Sequence, residues 1–431
     1  MKRLPLVIAV LLVTTVIGVG VGLPSGGVDG ERQAASVDAQ PSSQPQLSDA
    51  NPSQLSDTMG AETNVTNTVA IPAGEIERSD LRRQYADLGP AAEFDTDLTT
   101  DRLATRTIEH ELDALAADER GERIAAELNA VETEIDALET RERTAIREFS
   151  REELAPRELL IELATIHLEA ATLRDRTDML ESQASTLDGE PISTSRLQRM
   201  EYDLQMLEGP LRAHVVSVLR AERPADRILI ETSDTSITMA AIDNEQYIRE
   251  VNRKPLRGTG DSQLTPERIE ELTTERYPAL WEQSTSWSTD GLESVFVMSV
   301  SFDQGELRTF TDGPTERTFI EHQRLPLDDV ITGSETTKVQ DGLNVTVEQT
   351  YAGGPLRLTV TDAETGEPLE ATVTVGQDGQ ESQTVGTTNA DGALWTLSPR
   401  ASFTITVLGE DTSAAFVDIT PPAPETVTSG Q

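Results

Sequence analysis

The chain has 431 residues, with 35 Lys and Arg against 76 Asp and Glu, a formal net charge of −41. That balance argues against nucleic-acid binding, which needs a basic face. With no cysteine in the chain, disulfides, thiolate metal sites, cysteine nucleophiles and a lipid-modified N-terminal cysteine are excluded.

Lysine occurs only at Lys2, Lys254 and Lys338. In molar salt the Debye length falls to about 3 Å, so so acidic a surface repels itself little and stays hydrated. An acid-rich, lysine-poor chain with clear core periodicity has the composition of a halophile's protein.

Met1-Lys2-Arg3 precede an uncharged run from Leu4 to Leu23. Two positive charges ahead of such a run make an export signal, and its twenty residues as a helix cover about 30 Å, enough to span a bilayer. Residues 1–23 are read as a signal peptide or a retained membrane anchor through residues 4–23, with the rest of the chain extracytoplasmic, at the cell surface or secreted. From Pro24 to about Ile71 the chain is rich in Ser, Gln, Asp, Gly and Pro and has few apolar residues. Such a stretch buries too little surface to offset ordering entropy, so residues 24–98 are expected to be a mostly disordered tether. Asn64-Val65-Thr66 and Asn344-Val345-Thr346 are Asn-x-Thr sequons, which makes Asn64 and Asn344 candidate glycosylation acceptors on an exported chain.

Residues 99–222 read as a helical domain. Leu103, Ile108, Leu112 and Leu115 form a first stripe, which Gly121 interrupts. Ile124, Leu128, Val131, Ile135, Leu138, Ala145 and Phe149 form a second. Leu163, Ile166, Ala170, Leu173, Thr177, Leu180, Ala184 and Leu187 then alternate in steps of three and four, the period of a coiled-coil seam. Pro156 suits a helix's first turn. Helices of about 28 and 31 residues, or about 42 and 46 Å, joined by a short link predict an antiparallel hairpin. A further helix from Leu197 to Val218 is expected to bend at Gly209-Pro210. The seam also offers a homodimer interface. His110, His167 and His214 lack a second ligand at metal spacing and read as structural.

After Pro224 the period becomes two. Residues 225–335 read as a small α+β domain. It opens with a hairpin turning at Ser233-Asp234-Thr235, followed by a short helix over Asn244 to Arg253 and a helix starting at Thr265-Pro266. A meander through Val295–Val300, Leu307–Phe310 and Thr318–Leu325 completes it. Tyr277, Trp281 and Trp287 read as flanks of the core, with an aromatic platform for a sugar or partner as the other reading.

Residues 340–420 are all β, followed by a disordered tail over 421–431. Leu358-Thr359-Val360-Thr361-Asp362, Thr365-Gly366-Glu367-Pro368-Leu369, Ala371, Val373 and Val375 come first. Thr388 to Gly392, Leu397-Ser398-Pro399 and Phe403 to Val407 come later. Over these roughly 55 residues the sequence resembles the carboxypeptidase-regulatory-like, prealbumin-type β-sandwich. The resemblance implies a structural or adhesive module. A related surface-adhesin group carries a Lys–Asn cross-link, which is not expected here, since no lysine follows Lys338. The whole layout looks like exported proteins of halophilic archaea. The expected fold class is thus multidomain: an antiparallel coiled-coil-like helical domain, a small α+β domain and a C-terminal Ig-like or prealbumin-like β-sandwich.

No Gly-x-Ser-x-Gly, zinc-type His pair or Gly-rich phosphate loop is present. Asn389-Ala390-Asp391-Gly392 lacks the outer ligands of a calcium loop and reads as a turn. No catalytic, cofactor-binding or metal-ligating residue is singled out. The sequence reads as a non-enzymatic envelope protein that binds an envelope protein or glycan, or serves a structural role. The alternative is an extracellular hydrolase with a glycosidase-like carboxylate pair in 225–335.

Overall fold

A computed structural model describes residues 68–187, 192–260, 262, 264–292, 294–377, 382–409, 412–424 and 427. The apolar run at 4–23 and Asn64 lie outside the described residues. Among those described, no helix is long and apolar enough to cross a membrane.

In chain order, strand β1 (Arg78–Gln84) precedes five helices: α1 (Leu88–Ala114), α2 (Ala117–Ser150), α3 (Pro156–Ala184), α4 (Thr194–Leu207) and α5 (Pro210–Leu219). Strands β2 (Asp226–Thr232), β3 (Ile237–Asp243) and β4 (Gln246–Asn252) follow, then helices α6 (Pro266–Arg276) and α7 (Pro278–Glu282). After them come β5 (Ser286–Leu292), β6 (Val295–Ser301), β7 (Glu306–Asp312) and β8 (Arg317–Pro326). These eight strands form one antiparallel sheet in the order β1-β2-β3-β4-β8-β7-β6-β5.

Both faces of this sheet are covered, which is why its central strands are buried at consecutive positions, except at their ends, instead of alternating. On one face Ile228, Ile230, Met239 and Ile248 pack against Phe149, Leu159, Leu163 and Val215 of the helices. On the other, Leu229, Tyr247, Met298 and Leu307 meet Ile269, Leu272 and Leu280 of α6 and α7, together with Leu397. One core therefore crosses the boundary expected between 222 and 225. The outer parts of α1 to α4 have a separate core of their own, built on Leu112, Ile124, Leu128, Leu180 and Leu204.

The remaining strands form the C-terminal sandwich. β9 (Ser334–Gln340), β10 (Leu343–Gln349), β11 (Pro355–Asp362) and β14 (Ala393–Leu397) make one sheet. β12 (Ala371–Gln377), β13 (Gln383–Thr387), β15 (Phe403–Gly409) and β16 (Ala414–Ile419) make the other. Alternate residues such as Val345, Val347, Val373, Ile405 and Val407 fill the space between the sheets. Asn389 Oδ1 accepts from the Asp391 and Ala393 amides, and Gly392 takes φ 71°, so this stretch is a turn.

Several expectations need correction. Residues 68–98 are ordered. Val69, Ala70 and Ile71 are buried, 78–84 is a strand, and α1 begins at Leu88 with Asp87 as its N-cap. The first helix breaks at Leu115–Ala116 and not at Gly121, which lies inside α2; Arg120 Nη2 donates to the Leu115 carbonyl freed there. Leu103 of the first stripe is exposed. Asn244 to Arg253 is not a helix. Asn244 turns the chain with φ 53°, and the strand β4 follows. Its Tyr247, Ile248 and Val251 mimic a helical spacing because apolar layers lie on both sides of the strand. The bend expected at Gly209-Pro210 is a break between two helices, and α3 packs on α1, α2, α4 and α5, not on a single partner. In the expected tail, Val427 is buried and donates its N–H to the Thr68 carbonyl.

Candidate functional site

Charge distribution locates the site. In a chain with more than twice as many acids as bases, most buried cations are met by carboxylates. On the helical side of the sheet, Arg212 of α5 donates from Nε to Glu250 and from Nη2 to Glu142, each at 2.6 Å. Lys254 reaches Glu142 at 3.1 Å. Burial raises the Glu142 carboxyl, but the charges of Lys254 and Arg212 outweigh it and hold it down at about 2. On the other face, Arg249 pairs with Glu321, which also accepts from Tyr277 Oη, Thr68 Oγ1 and the Val69 amide. Arg249 donates to the Val69 carbonyl and Arg253 to that of Ala70. These bonds anchor residues 68–70, at the end of the stretch whose overall polarity suggests a tether. Both clusters are buried and, apart from Glu250 Oε2 and Arg253 Nε, bonded within themselves, which makes them structural.

The exception lies at the β1 edge. A cleft of about 950 Å³ opens between β1–β2 and the sandwich, lined by Arg82, Arg83, Arg227 and Arg400, by Tyr85, and by Gln377 and Gln383 of β12 and β13. Among the described residues Asp80 is the one acidic lining residue. Arg82 pairs with Asp80 at 2.7 Å, and Arg400 with Glu231 at 3.1 Å. Arg83 and Arg227 are direct cross-strand partners, so their Cβ atoms stand about 5 Å apart. Among the described residues neither has a carboxylate in ion-pair contact; Arg227 Nη1 donates to Thr396 Oγ1 at 3.2 Å. Burial first, and the charge of Arg83 second, push the Arg227 guanidinium down to about 10. Directly opposed like charges destabilise a sheet, and an anion seated between them would relieve that repulsion.

A second, smaller pocket of about 210 Å³ lies between the helical layer and β7–β8, where His167, Glu208, Glu306, Arg308 and His322 meet. Burial, ahead of neighbouring arginine charges, lowers His167 to about 4 and His322 to about 3. Burial lifts Glu208 to about 6 against the pull of Arg174. Sequence spacing gave no hint of this meeting, because its members sit on α3, β7, β8 and the link between α4 and α5.

The residues singled out from sequence are spread apart. Asn344 stands on the outer face of β10, where its Nδ2, the atom a glycan would occupy, donates to Thr361 Oγ1. Trp281 and Trp287 lie with centroids 5.8 Å apart and rings tilted by 38°, and Trp287 is exposed. Tyr277 is buried on Glu321 and takes no part in that platform. His214 lies between Asp226 and Asp243 at 3.3 and 3.6 Å. Among the described residues no three His, Asp or Glu come together as metal ligands. Sequence reading missed Arg83 and Arg227; their only signal was two arginines on β segments of a lysine-poor, acid-rich chain.

Searches of curated proteins and of solved structures returned no match. Three family models match the chain. The archaeal fibronectin-III type-like domain covers residues 334–416, the C-terminal Ig-like sandwich. A family of unknown function, DUF7094, covers 228–330. The domain of unknown function DUF7096 covers 1–223 and so meets DUF7094 at the link between α5 and β2. Because that model spans more than half of the 431 residues, the chain belongs to the DUF7096 family.

Proposed function

We propose that this chain is an exported, membrane-tethered cell-envelope protein with a binding role, and that its ligand is anionic and enters the arginine-lined cleft. The observation that carries the reading is the Arg83–Arg227 pair, two guanidiniums without carboxylate partners among the described residues, in a chain of net charge −41. The charged run-in and apolar stretch at residues 1–23 support export. The sandwich is read as a structural or adhesive module, as its resemblance to carboxypeptidase-regulatory-like domains implies, and the outer helices as a coiled-coil-like spacer.

Binding of fluorescent poly-L-glutamate, followed by anisotropy in molar KCl, tests the cleft. Saturable binding that weakens at least tenfold in Arg83→Glu is expected, and no binding to the native protein would overturn the reading. Protease added to intact cells tests the location: an untouched chain would remove the envelope assignment.

The hydrolase alternative draws on one observation, the Glu208 carboxyl raised by burial, which lines the smaller pocket with Glu306, although Glu208 lies outside the 225–335 domain in which the carboxylate pair was expected. At about 210 Å³, that pocket is smaller than the usual 300–1,000 Å³ of a ligand site. Glycan turnover abolished by Glu208→Gln would restore this alternative.

A further inference from the structure

β1 is the terminal strand of its sheet. Among the described residues, the backbone of residues 79–83 makes no hydrogen bond beyond its ladder with β2. The same five residues line the cleft. At about 3.3 Å per residue they present about 16 Å of open edge, with N–H and C=O groups at the spacing of a polypeptide.

Side chains of an added strand would continue the cross-strand rows of the sheet. On the sandwich side those rows are Arg83–Arg227, Leu81–Leu229 and Ser79–Glu231. The first holds two cations and no anion. The second is apolar and ends at the half-buried Leu81. In the third, Glu231 is already met by Arg400. Successive rows are two residues apart along any added strand, so the edge reads an acidic residue and, two positions away, an apolar one.

We propose that the cleft captures an extended acidic segment of a partner protein as an additional strand along β1, with an Asp or Glu beside Arg83 at the open end of the Arg83–Arg227 row and an apolar side chain two residues away against Leu81. This deepens the anion-binding reading and rests on it. A polysaccharide polyanion would engage the guanidiniums but leave the backbone edge unused, which is why a polypeptide fits better.

The test uses the full chain and fluorescent heptapeptides of alternating Thr carrying Asp-Thr-Val or, reversed, Val-Thr-Asp at the centre. One of the two is expected to bind, and to weaken at least tenfold when Lys replaces Asp. Arg83→Glu, at an exposed position where folding is not at risk, should reverse that preference and favour the Lys peptide. N-methylation on one set of alternate residues should abolish binding, whereas methylation of the other set should leave it intact, as only a strand on a ladder requires. If poly-L-glutamate binds and responds to Arg83→Glu, yet the peptides bind regardless of which amides are methylated, strand addition is wrong and anion binding stands. If neither probe binds, both readings fall.

Discussion

The unbalanced Arg83–Arg227 row and the balanced Arg212 cluster make opposite predictions. Arg83→Glu places a carboxylate opposite Arg227, and a favourable cross-strand pair contributes up to about 1 kcal/mol. Urea unfolding of this variant should show a gain of about that size together with lost anion binding, the signature of a residue kept for function at some cost in stability. A lower midpoint would mean that Arg83 is structural. Arg212→Met leaves Glu142 and Glu250 buried with less compensation and should lose about 3–5 kcal/mol. Glu250→Gln, which leaves Arg212 its bond to Glu142, should lose distinctly less, and a reversed order in urea would contradict the cluster as described. Gly209 has an ordinary extended backbone, yet a Cβ there would overlap the Glu250 carboxylate. Gly209→Ala should therefore destabilise through that cluster, and much less so in a Glu250→Ala background.

Among the elements, the helices differ along their length. The end of α2 holding Phe149 belongs to the core shared with the sheet, whereas Leu128 belongs to the outer, purely helical core. Each truncation to Ala should cost about 2–5 kcal/mol. Hydrogen exchange should separate them. Leu128→Ala is expected to raise exchange in the outer turns of α2 and α3 and leave β2 to β4 protected, while Phe149→Ala loosens both layers. Uniform loss of protection in Leu128→Ala would show that the outer helices do not open independently.

For the whole molecule, charge sets the dependence on salt and pH. With a net charge of −41, raising KCl toward molar levels shortens the range of self-repulsion, so the melting temperature should rise. A fall would contradict the halophilic reading. On acidification two sets of groups oppose each other. His167 and His322 sit at about 4 and about 3 in the fold, down from 6.5. The unfolded chain takes up protons first, and stability is lost as pH falls below about 6.5. Asp203 and Glu208 sit at about 6, raised by burial from 3.8 and 4.5. Their contribution is fully present below those ordinary values and lost as pH rises through about 6. The histidine shifts are the larger, so net acid destabilisation is expected, and the double variant His167→Gln/His322→Gln should flatten the fall between pH 6.5 and 4 in melting experiments. An unchanged slope would exclude the histidines as its source.

The helical stripes, the Pro156 start of α3, the Thr265 cap of α6, the hairpin turn at Ser233 and the alternating Val and Ile of the sandwich were legible in the sequence, because each depends on residues a few positions apart. The order of residues 68–71 was not, since it arises from Arg249, Arg253 and Glu321, far along the chain. β4 was misread for a related reason: periodicity reports one covered face, and this strand has two. The cleft was least legible of all. An arginine's role depends on whether a carboxylate stands within about 4 Å of it, and only the pairing of β1 with β2 placed Arg83 beside Arg227, with no carboxylate in ion-pair contact among the described residues. Composition and local spacing determined the charge, the core and most elements; which charges face one another was decided by contacts between distant segments, which local sequence does not encode.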